Sequence, residues 1–196
     1  MQTKRLRSRV RLAAVATMAG WLAGCAVVPE TGRRQLVLIS PAQEMELGLT
    51  SFQQMKKDVP VSKSATQAAL IERVGKRIAA VADLPGAQWE FVLFDSKEAN
   101  AFCLPGGKVG IYTGILAVTK DEAGLATVIG HEVAHARARH GAERVSQALL
   151  LQTGGNMLQA AMSNADPRKQ AAVATAYGLG AQVGVALPHS RSTESE

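Results

Sequence analysis

Apolar positions recur at helical spacing along much of this chain. Leu70, Ile71, Val74, Ile78 and Val81 share one face of a helix that opens at Ser64-Ala65-Thr66-Gln67 and is broken by Pro85-Gly86. Leu125, Val128, Ile129, Val133 and Ala134 mark another. Its start reads as a capping box, Thr119-Lys120-Asp121-Glu122, and its pattern runs to about Ser146. Ser40-Pro41-Ala42-Gln43 sets Ser at an N-cap, Pro in the first turn and Gln at the capping-box position, which predicts a helix ending near Asp58, ahead of Pro60.

Two stretches change period. Gln88 to Phe94 is rich in strand formers. Ala101–Leu104, a Pro105-Gly106-Gly107 turn and Lys108–Thr113 give the strongest hairpin signal in the chain. Val27 to Ser40 reads as a tether with a short strand at Leu36-Val37-Leu38-Ile39. From Gln147 to Leu187 the chain is Ala/Gly-rich, with charge only at Asp166-Pro167-Arg168-Lys169. This predicts two small-residue helices around a turn. The uncharged run Ala171–Leu187 is weakly hydrophobic for a membrane span and is expected to pack in the domain or lie against a bilayer. The class is α+β, mainly helical with a small sheet and hairpin.

Composition agrees. Of 196 residues, 47 % are apolar and only 4 % aromatic, so Ala and Gly supply much of the core. The net charge of +6 invites a nucleic-acid reading until it is localised. Lys4, Arg5, Arg7, Arg9 and Arg11 stand in a start that has no acid, and without them 17 basic residues face 16 acidic ones. A nucleic-acid partner is therefore not expected.

That basic start is followed by thirteen uncharged residues, Leu12–Gly24, too short to span a bilayer, which takes about 20. Leu22-Ala23-Gly24-Cys25 resembles the lipobox of bacterial lipoproteins, which implies lipidation of Cys25 and a membrane anchor. Ala26, rather than Asp, favours the periplasmic face of the outer membrane in Gram-negative sorting. The only other cysteine is Cys103, so no intramolecular disulfide forms once Cys25 carries lipid, and Cys103 is expected to be a buried small hydrophobe.

The chemistry lies in His131-Glu132-Val133-Ala134-His135, a match to H-E-x-x-H inside an apolar helix. Residues four apart share a helix face, so both imidazoles can reach one ion while Glu132 sits beside a metal-bound water. Two ligands do not complete a zinc site, which normally takes three from the protein. His140 lies five residues past His135 and is rotated off the ligand face, as a surface or supporting residue. His189 and Arg191 are weaker candidates.

Asn100-Ala101-Phe102-Cys103-Leu104-Pro105-Gly106-Gly107, then Thr113-Gly114-Ile115-Leu116, then the H-E-x-x-H helix, then Ser190-Arg191-Ser192-Thr193-Glu194 resembles the gluzincin peptidases related to the CaaX prenyl protease and the HtpX-type heat-shock protease. The closest likeness is to their periplasmic lipoprotein members. The resemblance implies a zincin-like domain holding one Zn2+ through His131, His135 and Glu194, with Glu132 as general base. It also implies a segment beyond Glu196, so the domain reads as incomplete at its C-terminus. On this reading residues 1–24 are a lipoprotein signal peptide, 25–40 a lipidated tether and 41–196 the peptidase domain. The expected activity is endopeptidase cleavage of unfolded or misassembled envelope proteins. Lys108, Val109, Gly110, Ile111 and Tyr112 would offer a strand edge to an extended peptide. The alternative is a non-catalytic, chaperone-like assembly factor on the same scaffold.

Overall fold

The computed structural model describes residues 25–28 and 31–181. The expected export signal, His189, Arg191 and Glu194 lie outside the described residues.

Cys25–Val27 (β1) and Arg34–Leu36 (β2) form an antiparallel hairpin. The short strand thus falls earlier than Leu36–Ile39 and is docked on the domain. Val28 is 1 % exposed, and the Arg33 guanidinium donates to both carboxylate oxygens of Glu143, at 2.9 and 2.8 Å. The first long helix, Pro41–Asp58 (α1), has the full Ser40/Gln43 capping box and ends where expected. The helix Ala65–Ala79 (α2) is capped by Ser64, whose Oγ accepts from Gln67 N.

Glu90–Phe94 (β3), Ala101–Leu104 (β4) and Lys108–Tyr112 (β5) form a sheet in the order β3-β5-β4. β3 runs parallel to β5 and β4 antiparallel to it. Alternation assigns the two faces. Phe91, Leu93, Ala101, Cys103, Val109 and Ile111 face α2 and the H-E-x-x-H helix. Val92, Phe94, Phe102, Leu104 and Tyr112 face α1, around Phe52. Gly106 and Gly107 turn the hairpin at φ +82 and +77. Gly110 leaves room for the Phe102 ring, which a Cβ would meet at 2.1 Å.

This order corrects the edge expectation. Lys108, Val109, Gly110, Ile111 and Tyr112 are all buried, because β5 has a strand on each side and helices on both faces. The two edges are β3 and β4, and β3 is covered at its end by the segment 60–62, which bridges Phe94 through Val61. Registers across the hairpin are local and legible, whereas the parallel pairing of β3 is a long-range contact.

A turn at Thr113–Ile115 and the short helix Leu116–Thr119 (α3) lead to Glu122–Arg137 (α4). The cap of α4 is Asp121, which accepts from Gly124 N at 2.8 Å, and not Thr119, which ends α3. Nor does α4 run on to Ser146. It stops at Arg137, and Arg139 adopts left-handed φ 59, ψ 30 before His140–Ala161 (α5) begins. Pro167–Ala181 (α6) packs back on the distal half of α5, where Tyr177 Oη donates to Leu151 O at 2.7 Å. Most described residues in that hairpin are exposed, so the small-residue stretch 147–180 is not packed inside the domain. No helix among the described residues is long and apolar enough to cross a membrane.

Candidate active site

α4 is held by one apolar stripe. Leu125, Ile129, Val133 and Ala136 are buried against the sheet and α2. The neighbouring face carries His131 and His135, whose Nε2 atoms converge to 2.9 Å. Their rings meet nearly edge-on, with centroids 4.3 Å apart. Two nitrogens bound at 2.0–2.1 Å to a tetrahedral zinc stand about 3.3 Å apart, so opening the pair by about 0.4 Å admits the ion. The two imidazoles therefore fit a shared metal. Among the described residues no group of three or more His, Cys, Asp or Glu is arranged to hold a metal ion.

Glu132 follows His131 on α4, near enough to β4 for its charge to be felt there. Its carboxylate acts on Cys103 of β4, whose thiol is pushed up to about 12, first by burial and then by that negative charge. Cys103 is a free, part-buried thiol and stays protonated at neutral pH. The sequence expectation for it holds in kind, and the effect of the Glu132 charge on it is new.

The imidazoles also border a cavity of about 320 Å3 between α4, the end of α2 and the β1–β2 hairpin. Val28, Ile78, Val81 and Ala134 line it along with His131 and His135. The two histidines thus line the cavity, and the helix that carries them packs on the edge strand β4. The main-chain pattern of that edge follows from the ladder. Tyr112 N donates to Asn100 O at 3.0 Å, and antiparallel residues alternate between facing the partner strand and facing away. Ala101 and Cys103 therefore turn their N–H and C=O groups outward.

The break after α4 brings in residues that helical rotation alone excludes. The left-handed backbone of Arg139 costs roughly 1 kcal/mol for a residue with a Cβ. Two distant anchors offset it. Arg139 Nε donates to Glu44 Oε2 of α1 at 2.8 Å, and Gln35 Nε2 of β2 donates to Ala138 O at 2.9 Å. Beyond the break His140 is 2 % exposed, with its Nδ1 2.7 Å from Nδ1 of His135. Glu143 and Ser146 follow, 1 % and 0 % exposed. Ser146 Oγ accepts from Leu38 N at 2.8 Å and donates to Ala142 O at 2.7 Å.

His140 is thus the supporting residue rather than the surface one, and the sequence carries a signal that separates the two. The spacing Leu125, Ile129, Val133, Ala136 continues onto His140, Glu143 and Ser146. Polar residues on a core stripe mark a buried network. Of the residues picked from sequence, the structure brings together His131, Glu132 and His135. Glu194 lies outside the described residues. The backbone of Cys25 opens β1, paired with Leu36.

A helix that brings two imidazole nitrogens to 2.9 Å, with a carboxylate beside them in sequence, has the makings of a metallopeptidase centre. A family model described as Peptidase family M48 matches residues 65–196, and the chain belongs to that family of metal-dependent peptidases. Over 76 residues it is 47 % identical to "Mitochondrial metalloendopeptidase OMA1" of Schizosaccharomyces pombe, covering 39 % of this chain and 23 % of the relative. Over 132 residues it is 33 % identical to "Metalloendopeptidase OMA1, mitochondrial" of Homo sapiens, covering 64 % of this chain and 25 % of the relative. Over 129 residues it is 29 % identical to "Beta-barrel assembly-enhancing protease" of Yersinia pestis, covering 66 % and 26 %. The chain thus spans about a quarter of the length of these curated relatives.

Proposed function

We propose that this protein is a zinc-dependent endopeptidase, anchored through lipid on Cys25 to the periplasmic face of the outer membrane, that cleaves unfolded or misassembled envelope proteins. The observation that carries the reading is the convergence of His131 and His135 Nε2 to 2.9 Å on a helix beside an open strand edge. The likeness to a β-barrel assembly-enhancing protease supports the envelope setting. The lipobox supports the anchor, and the order of motifs supports kinship with the CaaX prenyl protease and HtpX type.

In this reading His131, His135 and Glu194 hold one Zn2+. The ion supplies Lewis acidity towards water and the scissile carbonyl. Glu132 takes the proton of the attacking water and passes it to the leaving amine. An extended substrate pairs with β4, bonding to the outward main-chain groups of Ala101 and Cys103. Recognition through main chain is tolerant of sequence, which suits unfolded substrates. The cavity lined by Val28, Ile78 and Val81 receives an apolar side chain.

The test is cleavage of an unfolded protein, such as reduced casein, by the purified full chain. We expect turnover that stops with chelator, returns with zinc and falls by at least about a thousandfold in Glu132→Gln. Zinc bound at one per chain without any cleavage favours the non-catalytic assembly factor instead.

A further inference from the structure

The buried contact between His135 and His140 has a chemical consequence. Two Nδ1 atoms at 2.7 Å form a hydrogen bond only when one ring carries a proton there and the other does not. The opposite edge of His135 presents Nε2, 2.9 Å from Nε2 of His131. A metal is bound by an unprotonated ring nitrogen, and the hydrogen bond at the other nitrogen decides which one that is. For His135 to offer Nε2 its proton must sit on Nδ1. His140 must then accept at Nδ1, which leaves its own proton on Nε2.

We propose that His140 is a positioning residue that holds His135 in the Nδ1–H tautomer, with the Nε2 lone pair turned to the site shared with His131. The inference rests on reading His131 and His135 as metal ligands. Its machinery lies in this chain's own residues. His140 is fixed because the helix breaks at Ala138–Arg139, and that break is tied down from α1 by Glu44 and from β2 by Gln35. In an unbroken helix a residue five positions on would lie about 140° round from His135, out of reach of its ring. A strained backbone residue that delivers a buried polar group to a site is the kind of feature that functional sites retain.

Three variants and two readouts test this. In His140→Asn an amide oxygen stands close to where Nδ1 was and still accepts from His135. In His140→Phe the volume is kept and the acceptor is lost. Zinc affinity, measured by competition with a chromophoric chelator, is expected to fall about 10- to 100-fold in His140→Phe and His140→Ala, and to return to within about threefold of the parent in His140→Asn. Ring 15N spectra of the metal-free full chain are expected to show His135 protonated at Nδ1 in the parent and in His140→Asn, and a tautomer mixture in His140→Phe.

A parent His135 protonated at Nε2 overturns the proposal. So does a folded His140→Phe that binds zinc as tightly as the parent. If the parent binds no zinc, the peptidase reading fails, and the metal-free spectra still decide what His140 does to His135.

Discussion

The ion pair between Arg33 and Glu143 gives the sharpest stability prediction. Glu143 is 1 % exposed and receives two parallel N–H donors from Arg33, which is itself 21 % exposed. Replacing Arg33 by Met keeps the aliphatic stem and removes both donors from a buried carboxylate. Breaking one side of a buried pair costs 3–5 kcal/mol, and access of water past the rim position of Arg33 sets the expectation at about 3 kcal/mol. For a domain of this size that lowers Tm by about 6–12 °C. Urea and thermal unfolding of Arg33→Met measure it, with a helical signal as probe. The double variant Arg33→Met, Glu143→Leu is expected to recover most of the loss, because an apolar pair of similar volume needs no desolvated charge. A single variant within about 0.5 kcal/mol of the parent, the level typical of an exposed pair, would refute the reasoning. It would mean that the hairpin of β1 and β2 does not clamp the start of α5.

Gly110→Ala is expected to destabilise by about 2 kcal/mol, since its Cβ would meet the Phe102 ring at 2.1 Å; denaturant unfolding checks it. Glu90 is held below its ordinary value of 4.5, first by the hydrogen bond from Lys56 and then by the charges of Lys56 and Lys108. Its contribution to stability is complete above pH 4.5 and is lost as pH falls through the lower folded value. The stability gap between the parent and Glu90→Gln should therefore be flat above that pH and close below it; a gap that widens in acid contradicts the assignment. With its thiol pushed up to about 12, against an ordinary 9.0, Cys103 should react with iodoacetamide at pH 8 about a thousandfold more slowly in the folded chain than in urea. Peptide mass spectrometry follows the site, and rates within tenfold of each other would sink the point.

What could be read from the sequence was local. Ser40 with Gln43, and Ser64 with Gln67, are caps in which donor and acceptor are three residues apart, and both formed as read. The Pro105-Gly106-Gly107 turn carries its geometry in its own residues, so the hairpin register followed. The convergence of His131 and His135 follows from helical spacing alone. What was misread depends on distant partners. β5 is central because β3, which precedes it by a whole hairpin, pairs with its other side. Cap choice at α4 turned on Lys120, which leaves the helical region at φ 63 and separates Thr119 from Asp121. The left-handed residue at the break, Arg139, is neither glycine nor proline, and the anchors of the break, Glu44 and Gln35, lie 95 and 103 residues away in the chain from the groups they hold. Of the two readings of His140, surface or supporting, the structure has the supporting one, and its place on the apolar stripe of α4 marks it as buried.

The central claim is that His131 and His135 share one zinc ion. X-ray absorption at the zinc edge, on the full chain loaded to equivalence, tests it most directly. The account predicts one zinc per chain with two imidazole nitrogens at about 2.0–2.1 Å and no sulfur. It also predicts that His131→Ala and His135→Ala each remove an imidazole from that shell. A sulfur ligand, or a spectrum unchanged by both substitutions, would contradict it.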